Sequence, residues 1–470
     1  MSVRAGGFCF FLGVVTVVLA GLSASALAAT KQPGYPVPHI TAPVVPTAVA
    51  PGGPDFTLRV YGANFINGSV VNWNRQPRAT TFVSAHELDA QILAADIATN
   101  TAGLITVTTT SPYGPIVSST FAQVEVHAPT TTVTFGSPQV TGGGGVPLLV
   151  ADMNNDGYLD MVTPGRTAIQ SFLNDGHGVF TAGPNATRNY NPNGNAALGD
   201  FDGDGIPDIV FTSGTIFTSK ARMQVNLNNG DATFRPGSQF AYFQGVNAPT
   251  NFLVGDFNGD GVLDVVLQGS ALDLFLGNGD GTFSQGQRIR FGGLGLDAMV
   301  VGDFNGDGKL DLAVIAVGSQ PSAQIHILLG NGDGTFQSPR TVVSSITGFI
   351  GHPPLVVADL NGDGIADLLY SDNSQMGVLI GRGDGTFQNL GILSDFTNGL
   401  AVGDFNEDGK VDLLFWSGGL STELRFGNGD GTFGPDQNYS LSLGNDVLPA
   451  ADFNNDGLLD VTDGNIHLQQ

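Results

Sequence analysis

Short apolar runs separated by turn residues recur along nearly the whole chain, and no stretch has helical periodicity. Phe252-Leu253-Val254 and Val265-Val266-Leu267 form one pair of runs, and Leu355 to Ala358 with Leu368-Leu369-Tyr370 another. Runs this short, bounded by Gly, Asn and Asp, predict strands rather than helices. Beyond residue 130 the runs come in sets. One strand precedes an acidic nine-residue segment and a second follows it. A turn and a third strand come next, as in Leu272 to Leu276 or Ile325 to Leu329. Then comes the marker Asn-Gly-Asp-Gly-Thr-Phe, at Asn278, Asn331 and Asn428, with variants beginning at Asp175, Asn229 and Arg382. A fourth strand closes the set.

The acidic nonamer reads D-x-[DN]-x-D-G-x-x-D and starts at Asp152, Asp200, Asp256, Asp303, Asp359, Asp404 and Asp452, at intervals of 45 to 56 residues. Four short strands per interval is the size of a propeller blade. The expected fold is therefore all-β, a seven-bladed β-propeller over 131–470. The chain stops at Gln470, just after the third strand of the seventh set. Thr132 to Pro138 looks like the segment that follows each marker, so this N-terminal strand is expected to complete the last blade. Closure of that kind removes exposed sheet edges.

The front of the chain reads differently. Residues 1–28 carry Arg4, an apolar stretch from Phe8 to Leu22 and the ending Ala26-Leu27-Ala28, the pattern of a signal peptide. The apolar run is short for a transmembrane helix, the alternative being an N-terminal anchor. Residues 29–37 form a Pro-rich spacer. Residues 38–128 alternate in strand fashion, as in Phe56 to Val60, Val70 to Trp73 and Ile105 to Thr109, and predict a small β-sandwich. The order Gly52-Gly53, Leu58 to Phe65, Val71 to Asn74 and Thr80 to Val83 resembles the IPT/TIG immunoglobulin-like family. That resemblance implies an accessory or spacer domain, with Trp73 in its core.

The nonamers carry the chemistry. Positions 1, 3, 5 and 9 offer side-chain oxygens, position 7 a backbone carbonyl, and Gly at position 6 permits the reversal that turns them inward. The candidate ligands are Asp152, Asn154, Asp156, Tyr158 and Asp160; Asp200, Asp202, Asp204, Ile206 and Asp208; Asp256, Asn258, Asp260, Val262 and Asp264; Asp303, Asn305, Asp307, Lys309 and Asp311; Asp359, Asn361, Asp363, Ile365 and Asp367; Asp404, Asn406, Asp408, Lys410 and Asp412; and Asp452, Asn454, Asp456, Leu458 and Asp460. A hard divalent cation takes six to eight oxygens, several of them anionic. No copy contains Cys or His, which disfavours zinc and copper. A carboxylate-rich single loop favours Ca²⁺ over Mg²⁺. The EF-hand needs Glu at position 12. Here that position holds Thr163, Phe211, Leu267, Val314, Tyr370, Phe415 and Asp463. The bland reading is a set of Asp-Gly and Asn-Gly hairpin turns without an ion.

Composition agrees with the loops. The chain has 42 Asp+Glu against 17 Lys+Arg, a net charge of -25. Of the 42 acids, 22 sit at positions 1, 3, 5 or 9 of the nonamers. So lopsided a charge excludes nucleic acid, because nothing would neutralise the phosphates, and disfavours an anionic membrane surface. No stretch after the leader is long and apolar enough to span a bilayer. Cys9 is the only cysteine and lies in the leader, so the exported chain would have no disulfides.

The repeats resemble the FG-GAP/VCBS family, whose members include the integrin α-subunit propeller. The nonamer matches that family's calcium loop position by position over about 340 residues. The departures are Asp202 at position 3, Pro207 at position 8 and Glu407 at position 4. The resemblance implies up to seven Ca²⁺ in loops joining the first two strands of each blade.

Other signals carry less. Arg382-Gly383-Asp384 spells an integrin-recognition tripeptide but replaces the Asn-Gly-Asp of a repeating turn. Asn67, Asn185 and Asn438 head glycosylation acceptor triplets, and the seven His are scattered. The expected product is an exported propeller for extracellular adhesion or recognition of a protein or polysaccharide. Its contact surfaces would be rim loops and the channel mouth, including 185–195, 240–251, 318–322 and 344–354. The alternatives are a polysaccharide lyase or hydrolase on the same scaffold, or a structural surface-layer component. No convergent catalytic cluster is legible.

Overall fold

A computed structural model of the chain describes residues 34–41, 44–112, 114–137, 139–140, 149–164, 168–187, 196–213, 222–241, 251–318, 322–347, 354–371, 375–393, 398–416, 422–439, 441, 448–463 and 465–470. The leader and most of the spacer lie outside the described residues. So do the variable segments 188–195, 242–250, 319–321 and 348–353. All the described regular structure is β.

Two sheets form the N-terminal unit. One runs in the order His39–Ile40, Phe56–Ala63, Glu87–Ile92, Thr80–Phe82. The other runs Ala48–Val49, Ala122–Val126, Thr101–Ser111, Ser69–Trp73, Gln76–Pro77, with Gly114–Val117 added to Thr101–Ser111. Alternation decides which face is inward. Leu58 and Val60 are buried while their neighbours Thr57 and Arg59 are exposed. Leu58, Val60, Leu88 and Ala90 from the first sheet meet Val71, Ile105, Val107 and Val124 from the second. Trp73 lies in that core, 2% exposed. Its indole needs Gly103, where an added Cβ would come within 2.3 Å of the ring.

Seven four-stranded sheets follow, an arrangement that fits the expected β-propeller. Sheet 3 shows the plan: Asn251–Gly255, Asp264–Gln268, Leu272–Gly277 and Phe283–Ile289, each antiparallel to the next. The second strand of each set is buried on both faces, as in Asp264–Gln268 and Asp367–Ser371, because neighbouring sheets cover it. The seventh sheet is composite. Ala450–Ala451, Asp460–Thr462 and Asn465–His467 come from the C-terminus, and Gln139–Val140 adds the fourth strand. Phe135 bridges to Gln469, as Phe336 bridges to Gly330 and Phe433 to Gly427. The segment 132–138 thus stands where a marker segment stands in the other sheets.

Each sheet is fastened to the next at one recurring place, the second residue of the nonamer. Its side chain is buried in all seven copies: Met153, Phe201, Phe257, Phe304, Leu360, Phe405 and Phe453. Its carbonyl accepts a hydrogen bond from the following sheet. The donors are the N–H groups of Ala232, Gly281, Gly334, Gly385 and Gly431, then the Gln469 side-chain amide, at 2.8–3.2 Å. The seventh carbonyl, of Phe453, accepts from the Asn174 amide of the first sheet at 2.8 Å, so the series returns to its start. Rings repeat the pattern. Phe201 packs on Phe283, Phe257 on Phe336, Phe304 on Phe387 and Phe453 on Phe180, with centroids 5.6–5.9 Å apart. Phe405 packs on Phe135 of the closing segment at 6.4 Å.

This makes position 2 the mechanical joint of the array. Phe304→Ala is expected to cost about 3–5 kcal/mol of unfolding free energy, the usual loss for a buried Phe. Ile392→Ala, at a position 60% exposed, is expected to change it by less than about 0.5 kcal/mol. Denaturant unfolding of the two variants checks the contrast.

Candidate metal centres

Loop 5 shows how a nonamer folds. Asp359 Oδ1 accepts the N–H groups of Gly362 and Asp363, and its Oδ2 accepts that of Gly364 at 2.7 Å. Asn361 Oδ1 accepts the Asp363 N–H, and its amide donates to Asp363 Oδ2 at 2.9 Å. Asp363 Oδ1 accepts the N–H of Ile365. The chain reverses at Gly364, φ +81°, a conformation that suits glycine. Positions 1, 3 and 5 are therefore tied together by the loop's own hydrogen bonds.

Position 9 plays a different part. Its Oδ2 accepts the N–H of position 2 in every copy, at 2.8–3.0 Å. Its Oδ1 accepts the N–H of Asn174, Asn228, Gly277, Gly330, Gly381, Gly427 or Gln469 at the end of the third strand, at 2.7–2.9 Å. One buried carboxylate thus ties the loop to the sheet. The sequence placed position 9 among the ligands without this second duty. Position 7 gives its N–H to position 5 in all seven loops.

Loop 2 is the most acidic copy. Asp200, Asp202 and Asp208 bring carboxylate oxygens within 4.8 Å of one another, the one such triad among the described residues. Arg235, from the fourth strand of the same sheet, pairs with Asp202 Oδ2 at 2.5 Å and offsets the charge that Asn at position 3 would not carry. Asp202 Oδ1 is buried and has no hydrogen-bond partner.

Crowded anions raise each other's proton affinity. Burial first, then neighbouring loop carboxylates, pushes Asp208 up to about 9, Asp412 and Asp460 to about 8, and Asp311 and Asp367 to about 7. Asp200 and Asp452 rise to about 7, and Asp256 and Asp404 to about 6, for the same reasons. Backbone N–H donors pull each of them the other way. The donor set is all oxygen, convergent and under-compensated, with an orphan oxygen in loop 2. It fits a hard cation.

The N-terminal unit supplies groups that sequence reasoning missed. Val37 N–H, Thr47, Arg75 and His86 each reach Oδ2 of a position-1 aspartate: Asp256, Asp404, Asp152 and Asp303 respectively. No local pattern marks these residues, since each meets its loop only through tertiary folding. His86 also donates from Nε2 to the Gly364 carbonyl at 2.8 Å. Burial opposes its charge, but Asp303 outweighs that and raises its pKa.

Comparison with known proteins now adds to the geometry. The model of the FG-GAP-like repeat matches residues 152–211, 215–267, 265–314, 303–370, 359–415 and 404–462. No curated protein matches the chain. Among solved structures, the chain is similar to a phosphatase candidate from Bacteroides thetaiotaomicron (13% identity, 94% of this chain and 98% of that one, TM-score 0.38). It is similar to an auxiliary nutrient binding protein from Bacteroides ovatus (11%, 94% and 100%, 0.37). A third is the V. cholerae biofilm matrix protein Bap1 (13%, 92% and 85%, 0.20). Such scores transfer no function.

Two outcomes follow from the loop geometry. Asp367→Asn puts an amide against two backbone N–H groups and is expected to cost about 1–3 kcal/mol with or without a chelator. Asp363→Asn keeps the acceptor for the Ile365 N–H and gives up only the exposed bond from the Asn361 amide, so it is expected to cost less than about 1 kcal/mol in chelator and more when a cation is present. Thermal melts in calcium and in chelator separate the two. In chelator, folded carboxylates hold protons that the unfolded chain releases near pH 4. Stability is then expected to fall as pH rises from about 4 to about 8, and excess calcium should flatten or reverse that slope.

Proposed function

Because the chain belongs to the FG-GAP-like repeat family, we propose that it is an exported, calcium-binding β-propeller serving as an extracellular recognition or adhesion module for protein or polysaccharide. The observation that carries the calcium reading is the repetition of one hydrogen-bonded acidic turn in seven sequence-separated loops, with a convergent carboxylate triad, Asp200, Asp202 and Asp208, in loop 2. The cation supplies positive charge that the loops lack. The chain's own residues do the rest. Position 1 orders the loop through its Gly N–H bonds, position 3 orients position 5, and position 9 anchors the loop to the second and third strands.

Stabilisation by mass action is the expected consequence. Extracellular modules bind Ca²⁺ with dissociation constants of about 10⁻⁴ to 10⁻³ M. At ten times that concentration each independent site contributes roughly 1.4 kcal/mol. Export rests on the leader pattern of residues 1–28 and on the absence of cysteine from the rest of the chain, which suits a protein braced by ions rather than disulfides. The recognition role rests on the architecture: a rigid repeat scaffold carrying segments of variable length between its strands.

The Tm in millimolar calcium is expected to exceed that in chelator by more than about 5 °C. An equal Tm would remove the calcium reading. A glycan array in calcium buffer, with a parallel assay for polysaccharide degradation, checks the recognition role. Binding without turnover is expected, whereas turnover would favour an enzyme on this scaffold.

A further inference from the structure

The N-terminal sandwich sits on the loop face of the repeats and touches six of the seven loops. Arg75 pairs with Asp152 Oδ2 and donates to the Asn155 carbonyl of loop 1. Val37 N–H and the Asn64 amide hold Asp256 of loop 3, both at 2.9 Å. His86 bridges loop 4 at Asp303 Oδ2 (2.9 Å) and loop 5 at the Gly364 carbonyl (2.8 Å). The Asn64 N–H adds a bond to Gly308 of loop 4 at 2.7 Å. Thr47 Oγ1 donates to Asp404 Oδ2 of loop 6 at 2.7 Å. The Gln123 side chain brackets Asp452 of loop 7, accepting its N–H at 3.0 Å and reaching its carbonyl at 3.5 Å. Loop 2 receives no hydrogen bond or ion pair from the sandwich among the described residues.

Two features of this seat involve the cation sites. First, all four sandwich donors to carboxylates use Oδ2, the oxygen that also takes the position-6 Gly N–H. Oδ1 is the oxygen turned toward positions 4 and 5. Docking thus orients the position-1 carboxylate through one oxygen, while the other is held by the loop itself. The sandwich donors are outer-shell orienting groups, the kind whose loss typically weakens a metal site about 10–100-fold. Second, docking buries acid against acid. Glu125, on the sandwich, is 3% exposed and lies in the field of acids of loops 6 and 7 that are buried in turn: Asp404 (2%), Glu407 (2%) and Asp452 (3%). Glu407 Oε2 has no hydrogen-bond partner. The basic side chain nearby is His127, 3.9 Å from Glu407 and partly exposed. A cation in loops 6 and 7 would supply positive charge beside this cluster.

We propose that the N-terminal sandwich is a cap whose seat on the loop face is coupled to cation loading, so that docking and calcium binding at loops 3, 6 and 7 form one linked equilibrium with loop 2 outside it. This rests on the calcium reading above. Linkage is reciprocal: a cation that favours docking binds more tightly to the docked form, by the same factor. At loop 1 the donor is Arg75, whose positive charge opposes a divalent cation, so that loop couples weakly or with opposite sign.

The test uses the full mature chain and two readouts, calcium binding by titration calorimetry and domain spacing by small-angle X-ray scattering. Chelator is expected to lengthen the maximum dimension of the wild-type particle, and calcium to restore it. Thr47→Val should weaken calcium binding at one site about tenfold. Asp200→Asn, in loop 2, should lose one calcium and leave the spacing unchanged. Calcium binding with identical scattering profiles in calcium and chelator would overturn the cap while leaving the metal sites standing. No calcium binding at all would overturn the calcium reading itself. Longer dimensions in Asp200→Asn would overturn the exclusion of loop 2.

Discussion

A carboxylate buried at the start of each second strand holds this molecule in shape. It accepts two backbone N–H groups, one from its own loop and one from the third strand. That pairing fixes the loop's second residue, which in turn presents a carbonyl and a buried side chain to the next sheet. The same turn draws positions 1, 3 and 5 together. Acid loop and sheet junction are therefore one local motif used seven times. A buried anion carries a desolvation cost, which the two N–H bonds only partly offset. The remaining charge is why the loops fit a cation.

Repetition explains why so much of this was legible. A nonamer seen once is a turn, but seven in register fix the strand count, the position of each loop between first and second strands, and the need for a closing strand from the other end. Thr132 to Pro138 was expected to complete the last sheet; the added strand is Gln139–Val140 just beyond it, while Phe135 bridges to Gln469 and stands on Phe405 as Phe283, Phe336 and Phe387 stand on Phe201, Phe257 and Phe304. The sandwich was legible from alternation alone, with Trp73 in the core as expected.

What was not legible depends on contacts far apart in sequence. Arg75, His86, Thr47 and Gln123 belong to ordinary strands and turns of the sandwich, and no spacing marks them as partners of loops hundreds of residues away. The double duty of position 9 was equally hidden. An Asp that could ligate and an Asp that caps two N–H groups look the same in one dimension. Arg235 shows the reverse case: Asp202 stood out as a departure, and its compensating partner became visible only once the fourth strand of its sheet folded beside it.

The central claim is that the seven acidic loops are cages for a hard cation that brace a closed series of sheets. The most direct measurement is a crystal grown in calcium, with diffraction recorded at long wavelength for the calcium anomalous signal. The account predicts anomalous peaks between the side chains at positions 1, 3 and 5 of the loops, with position 9 still bonded to its two backbone N–H groups. Loops that close on their own hydrogen bonds, with no anomalous density between those oxygens, would contradict it.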